Sequence, residues 1–131
     1  MYMLDTNICI YVLNNRSTTL RHKFKVTKDL CISAITYAEL RFGIENGKAE
    51  LKQKRWEQLN LFTRLLHILP FNEQAGVDYG VIRSGLKRQG KMIGGNDLLI
   101  AAHAKSINAT LVTNNLKEFQ RIEGLTLENW V

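Results

Sequence analysis

Short apolar runs bounded by polar turns alternate along this chain with longer segments of helical period. Residues 2–5 open with Tyr2-Met3-Leu4 and predict a buried, central strand. Residues 7–13 are rich in β-branched side chains, but a helix capped by Thr6 or Asn7 is the better reading after a strand. A short helix is expected over 17–24, capped by Ser17 or Thr18, and a second strand over 30–33. Thr36 is expected to cap a helix carrying Ala38, Leu40 and Ile44. From 48 to 66, Leu51, Trp56, Leu59, Phe62 and Leu66 recur at roughly helical spacing and predict one amphipathic helix. A third strand over 67–69 is stopped by the only proline, Pro70. Asn72 begins a helix through Ala75, Val77, Tyr79, Ile82 and Leu86. After a loop over 90–95, Asn96 or Asp97 starts a helix ending near 108. A fourth strand over 110–113, a short helix over 116–121 and an edge strand over 125–127 complete the pattern.

Strands separated by helices predict an α/β fold in which parallel strands are covered on both faces. Sites in such sheets lie beyond the carboxyl ends of the strands, where the strand order reverses. Asp5 ends the first predicted strand and Asn114-Asn115 follows the fourth. If those strands are neighbours, both groups share one crevice.

A length of 131 residues suits one domain over 1–131, with no repeat, low-complexity tract or linker. The apolar share of 45% and the charged share of 23% are those of a globular chain. The net charge of +6 favours an acidic partner, of which nucleic acid is the commonest, although charge alone does not separate it from an acidic protein. Cys9 and Cys31 lie among apolar neighbours and read as buried, reduced thiols. There is no zinc-type spacing, no signal-peptide pattern and no apolar run of transmembrane length, so a cytoplasmic protein is expected.

Three acids stand out from this background. Asp5, Glu39 and Asp97 each sit where an apolar segment meets a polar turn. Desolvating an unpaired carboxylate costs several kcal/mol, so packing alone gives no reason to place them there. Two carboxylates about 4 Å apart repel by about 4 kcal/mol at an effective dielectric near 20. Convergence of the three would therefore call for a compensating cation, and Mg²⁺, with Mn²⁺ as a substitute, suits all-oxygen ligands. Such a site would make the chain a metal-dependent hydrolase candidate, since a metal-activated water can attack a phosphodiester, which would leave a 5′-phosphate.

Four segments carry a resemblance. They are Met3-Leu4-Asp5-Thr6-Asn7, Ile35-Thr36-Tyr37-Ala38-Glu39-Leu40, the run from Asn96-Asp97 to Ala104, and Leu111-Val112-Thr113-Asn114-Asn115. Together they resemble the PIN-domain nucleases and, more narrowly, the VapC toxins of bacterial toxin–antitoxin pairs. The segment from Glu118 to Leu125 and the terminal Glu128-Asn129-Trp130 are also similar to VapC. The resemblance spans essentially the whole chain. It implies a three-layer α/β/α PIN domain around a central, mostly parallel sheet of four or five strands. It also implies an endoribonuclease, with a tRNA loop as substrate class, a VapB-like antitoxin as partner, and a homodimer within a larger complex.

Carried over by position, Asp5, Glu39 and Asp97 match the family's acidic metal ligands, with Glu39 serving a second shell or a second metal. The fourth position, usually acidic, is Asn115, assigned to the catalytic site because its amide oxygen can ligate the metal or position a water although it contributes no charge. Asn7 and Thr113 are candidates to brace the cluster. Lys87, Arg88 and Lys91, just upstream of Asp97, are candidates for RNA phosphate contact. A second reading keeps the fold but makes the chain a nucleic-acid- or protein-binding module, inactive for want of the fourth acid. Trp56, Phe62 and Phe119 read most simply as core, and equally as an apolar groove for a partner peptide. The Gly90-Lys91-Met92-Ile93-Gly94-Gly95 stretch is not a phosphate-binding loop, because no Gly-Lys-Ser/Thr follows its lysine. His22, His67 and His103 are scattered without a nucleophile partner, and His103 reads as packed or exposed rather than catalytic.

Overall fold

The computed structural model describes all residues from Met1 to Val131. Five strands, β1 (Tyr2–Leu4), β2 (Leu30–Ser33), β3 (His67–Leu69), β4 (Thr110–Val112) and β5 (Leu127–Glu128), form one sheet in the order β3-β2-β1-β4-β5. Every neighbouring pair is parallel. The first strand is central, as its pattern predicts, and the sheet is the five-stranded form of the expected α/β architecture.

Strand side chains divide between two cores, which makes three layers. Met3, Cys31 and Leu111 point into one core, with Ile82 and Leu86 of α5 (Glu73–Gln89) and Ile100 and Ala101 of α6 (Gly95–Ser106). Leu4, Ile32 and Val112 point into the other. That core is closed by α1 (Thr6–Leu13), α2 (Thr18–Val26), α3 (Ala34–Glu45) and α4 (Lys52–Thr63). The alternation is the strand period of two, hidden in the sequence because both faces of the central strands are covered and Met3-Leu4, Leu30-Cys31-Ile32 and Leu111-Val112 are continuous apolar runs. A last short helix, α7 (Leu116–Phe119), seats Phe119 in the first core.

The structure differs from the predicted elements mainly at helix starts. Asp5 itself caps α1, its carboxylate accepting from the Ile8 amide at 2.9 Å, so neither Thr6 nor Asn7 is the cap. Ser33 caps α3 three positions earlier than predicted, and Thr36 is buried within that helix. The segment after Gly47 first makes a tight 3₁₀ turn (Ala49–Leu51) before α4 begins. Trp56 is not core: it is 39% exposed, with the Arg41 guanidinium 5.9 Å from the ring centroid. The edge strand forms two residues later than predicted, where Leu127 and Glu128 pair with Leu111 and Val112. No helix is long and apolar enough to cross a membrane.

The chain runs from β1 through β2 to β3 in one direction, then returns to place β4 on the other side of β1. The reversal lies between β1 and β4, where Leu4 pairs with Val112 and the Asp5 amide donates to the Val112 carbonyl at 3.0 Å. Asp5 and Thr113, the next residues on each strand, therefore face the crevice that this topology leaves open.

Candidate active site

Asp5 is the innermost group, only 3% exposed. Burial pushes its carboxyl above the ordinary range; the Thr113 hydroxyl and the Ile8 amide partly oppose this, and the charge of Glu39 adds to it. Thr113 also accepts from the Asn115 amide at 2.9 Å, so it ties the end of β4 to the site, as a bracing residue would.

Glu39 lies on the second turn of α3, and the Thr6 hydroxyl donates to its Oε1 at 2.6 Å. The same Thr6 oxygen lies 3.3 Å from the hydroxyl of Thr36. Thr6 thus takes the bracing position expected of Asn7. Asn7 is exposed and lines the outer cleft with Ile10, Glu39, Phe42 and Asn96.

Asp97 occupies the first turn of α6, where a helix N-terminus ordinarily favours the ionised form. Its carboxyl is nonetheless raised to about 6, first by burial and then by the charges of Glu118, Asp5 and Glu39 in that order. Three other carboxylates thus act on Asp97. The strongest of the three charges belongs to Glu118, a residue that position-by-position transfer from the family pattern passes over.

Asn115 explains the omission. Its side chain is turned toward Glu118, donating from Nδ2 to Glu118 Oε2 at 2.8 Å. Glu118 Oε1 accepts from the Gly94 amide at 3.2 Å, at the entrance to the Asp97 helix. The acid therefore stands three positions after the amide, one turn along α7. That spacing is readable in Asn115-Leu116-Lys117-Glu118 once a helix is assumed there.

The one ion pair in the molecule joins Lys52 to Glu45, so no basic side chain lies within 4 Å of any of the four acids. No three of the acidic side chains close into a ready-made cage. The all-oxygen chemistry of these side chains suits a small hard cation which keeps several waters and takes one or two carboxylates directly. Cys9 and Cys31 are both free and buried.

Lys87 and Arg88 lie in the last turn of α5, and Lys91 follows Gly90, whose φ of +65° ends the helix in the left-handed conformation. All three are exposed, and Arg88 also bonds Ser84 Oγ at 2.7 Å. The loop from there to Asp97 is pinned by Arg121, which donates to the Met92 carbonyl at 3.0 Å. None of the three pairs with an acid of the site. His103 is buried, away from solvent, and its ring bonds Ser33.

Comparison with known proteins places the geometry in context. The PIN domain family matches residues 2–125. Ribonuclease VapC2 of Rickettsia felis is 43% identical over 133 residues, covering 99% of this chain and 98% of its own. The tRNA(fMet)-specific endonuclease VapC of Shigella flexneri is 37% identical over 98% of this chain and 97% of its own. The crystal structure of DNA-bound VapBC from Salmonella typhimurium superposes with a TM-score of 0.93 at 39% identity, covering 99% and 98% of the two chains.

Proposed function

The chain belongs to the PIN-domain family, in its VapC ribonuclease branch, and from that premise we propose a divalent-metal-dependent endoribonuclease whose site is Asp5, Glu39, Asp97 and Glu118. The observation that carries the metal and the site is the set of four carboxylates at the β1–β4 crevice with no cationic partner. The cation, when bound, activates a water and offsets charge developing on the phosphoryl oxygens.

The protein's own groups do the rest. Asp5, at the end of β1, and Asp97, in the first turn of α6, would hold the ion; Thr6 fixes the Glu39 carboxylate, and Asn115 with the Gly94 amide fixes Glu118. Asn115 acts as a brace for the fourth acid and is not itself that acid. The binding-module reading rests on a missing fourth carboxylate, and the carboxylate of Glu118 beside Asn115 supports the enzyme reading over it. Lys87, Arg88 and Lys91, exposed at the end of α5 and in the segment leading to Asp97, are the candidates to receive the RNA backbone.

A tRNA loop is the proposed substrate, on the strength of relatives named tRNA(fMet)-specific endonucleases that match nearly the whole chain. A VapB-like antitoxin is the proposed partner, since the solved neighbours include VapBC complexes. The groove between α1, α3 and α4, about 260 Å³ and lined by Ile10, Leu13, Leu40, Ile44 and Arg55, ends at Glu39 and offers it a seat. A homodimer is proposed through the exposed face of α5, where Val77 and Val81 stand beside Gly76 and Gly80. The cytoplasm is the proposed compartment, where such an RNA substrate is met.

The test is incubation of purified, antitoxin-free protein with bacterial RNA in Mg²⁺ or EDTA, beside Asp97→Asn. Metal-dependent cleavage at a dominant site with 5′-phosphate ends, silent in the variant, supports the reading. Cleavage that persists in EDTA with 2′,3′-cyclic phosphate ends refutes it.

A further inference from the structure

His103 takes no part in the proposed chemistry, yet it is only 2% exposed, on the third turn of α6. Its ring stands edge-on to Phe71 with centroids 5.6 Å apart. Its Nδ1 lies 2.8 Å from Ser33 Oγ, and Ser33 is fully buried. That oxygen already accepts from the Ile35 amide at 3.1 Å as the cap of α3. The hydroxyl proton needs an acceptor of its own, and the imidazole Nδ1 is the one in reach. The ring is then neutral and carries its proton on Nε2.

The placement of this bond gives it leverage. Ser33 opens the helix that carries Glu39, and His103 sits on the helix that carries Asp97. Each acid lies six residues from its end of the bond, an arm of about 9 Å along the helix axis. A tilt of about 5° at the link moves a carboxylate on that arm by about 0.8 Å. No other side-chain hydrogen bond joins α3 or its cap to α6. The other ties around the site act directly on a carboxylate: Thr6 on Glu39, Asn115 and Gly94 on Glu118.

We propose that the buried Ser33–His103 hydrogen bond is a positioning link that sets the separation of Glu39 from Asp97 and thereby the affinity of the site for its divalent cation. The inference rests on the metal-dependent reading above. His103 is a positioning residue here, since it touches neither ion nor substrate.

The test is calorimetric binding of Mn²⁺ to the metal-free full chain. His103→Leu, which fills the space but accepts no proton, is expected to weaken binding about tenfold, the range in which outer-sphere partners act. His103→Asn, whose amide oxygen takes the place of Nδ1, is expected to stay within about threefold of the parent. Combining Ser33→Ala with His103→Leu is expected to cost no more than His103→Leu alone. A folded His103→Leu protein that binds Mn²⁺ like the parent overturns the link, as do equal losses in the leucine and asparagine variants. Should His103→Leu fail to fold, Ser33→Ala carries the same expectation of weakened binding. Nitrogen-15 shifts of the parent ring must report Nε2–H, and an Nδ1–H ring overturns the link by itself. A parent protein that binds no Mn²⁺ overturns the metal reading and this one together, whereas normal parent binding with an unaffected leucine variant overturns the link alone.

Discussion

Thr6 and Glu39 lie on different helices and are joined by a 2.6 Å hydrogen bond from the threonine hydroxyl to the carboxylate. The bond costs the fold nothing in placement, because Thr6 is the first residue of α1 and Asp5 already caps that helix. It holds a long, flexible glutamate in one rotamer before any ligand arrives. Thr6→Val keeps the shape and removes the donor. The expected outcome is a drop in RNA cleavage of about tenfold at saturating Mg²⁺, with Thr6→Ser close to the parent. Single-turnover cleavage of a defined RNA is the measurement, and an active valine variant would remove Thr6 from the site.

Asp97 offers a prediction with a sign. Its carboxyl titrates at about 6 in the folded chain against an ordinary value of 3.8, so the folded state holds that proton more tightly than the unfolded one. Stability of the metal-free protein is therefore lost on this account as pH rises from 3.8 through 6. Asp97→Asn escapes the loss. After allowance for partial exposure, the variant is expected to melt about 3–5 °C above the parent near neutral pH. The difference closes as pH approaches the ordinary carboxylate value, where both chains are neutral at this position. Melting curves of the two proteins in EDTA across that range decide it. Equal melting temperatures throughout would mean that Asp97 is not under strain.

Removing the fourth acid separates the roles of Asn115 and Glu118. Glu118→Gln is expected to weaken Mn²⁺ binding at least tenfold, while Asn115→Ala, which only frees Glu118, is expected to cost about threefold. Asn115→Asp restores an acid at the family's usual position but sets it against Glu118, and is expected to bind no better than Asn115→Ala. A gain in affinity for the aspartate variant would return the fourth place to position 115.

The cations at the end of α5 answer to salt. Replacing Arg88 and Lys91 by alanine is expected to raise the KM for RNA and to leave kcat within about twofold. The slope of log KM against log salt should flatten by about one for each phosphate that the protein no longer neutralises. An unchanged slope would show that the RNA enters from another side.

The three acids are legible in the sequence because each breaks an apolar context, and the sheet is legible because its strands are continuous apolar runs between helical segments. Glu118 is less visible: it lies on a short, solvent-facing helix where an acid needs no explanation. Only its hydrogen bond with Asn115 and its charge on Asp97 give it meaning. The caps mislead for a related reason. Asp5 and Ser33 close strands and open helices at once, so a pattern that assigns each residue to one element misplaces both. Trp56 misleads because a helical spacing of large side chains does not distinguish a core stripe from an exposed one, and Arg41 covers the ring in place of the core.

The pairing of β1 with β4 also orders events during synthesis. Asp5 and Glu39 leave the ribosome early, but the crevice between them and Asp97 has no second wall until β4 slides in beside β1. Glu118 follows later still, on the helix after that strand. The crevice is therefore completed only when the last strand neighbours have docked. The core closed by α1, α2, α3 and α4 waits as well, since Val112 of β4 and Trp130 belong to it.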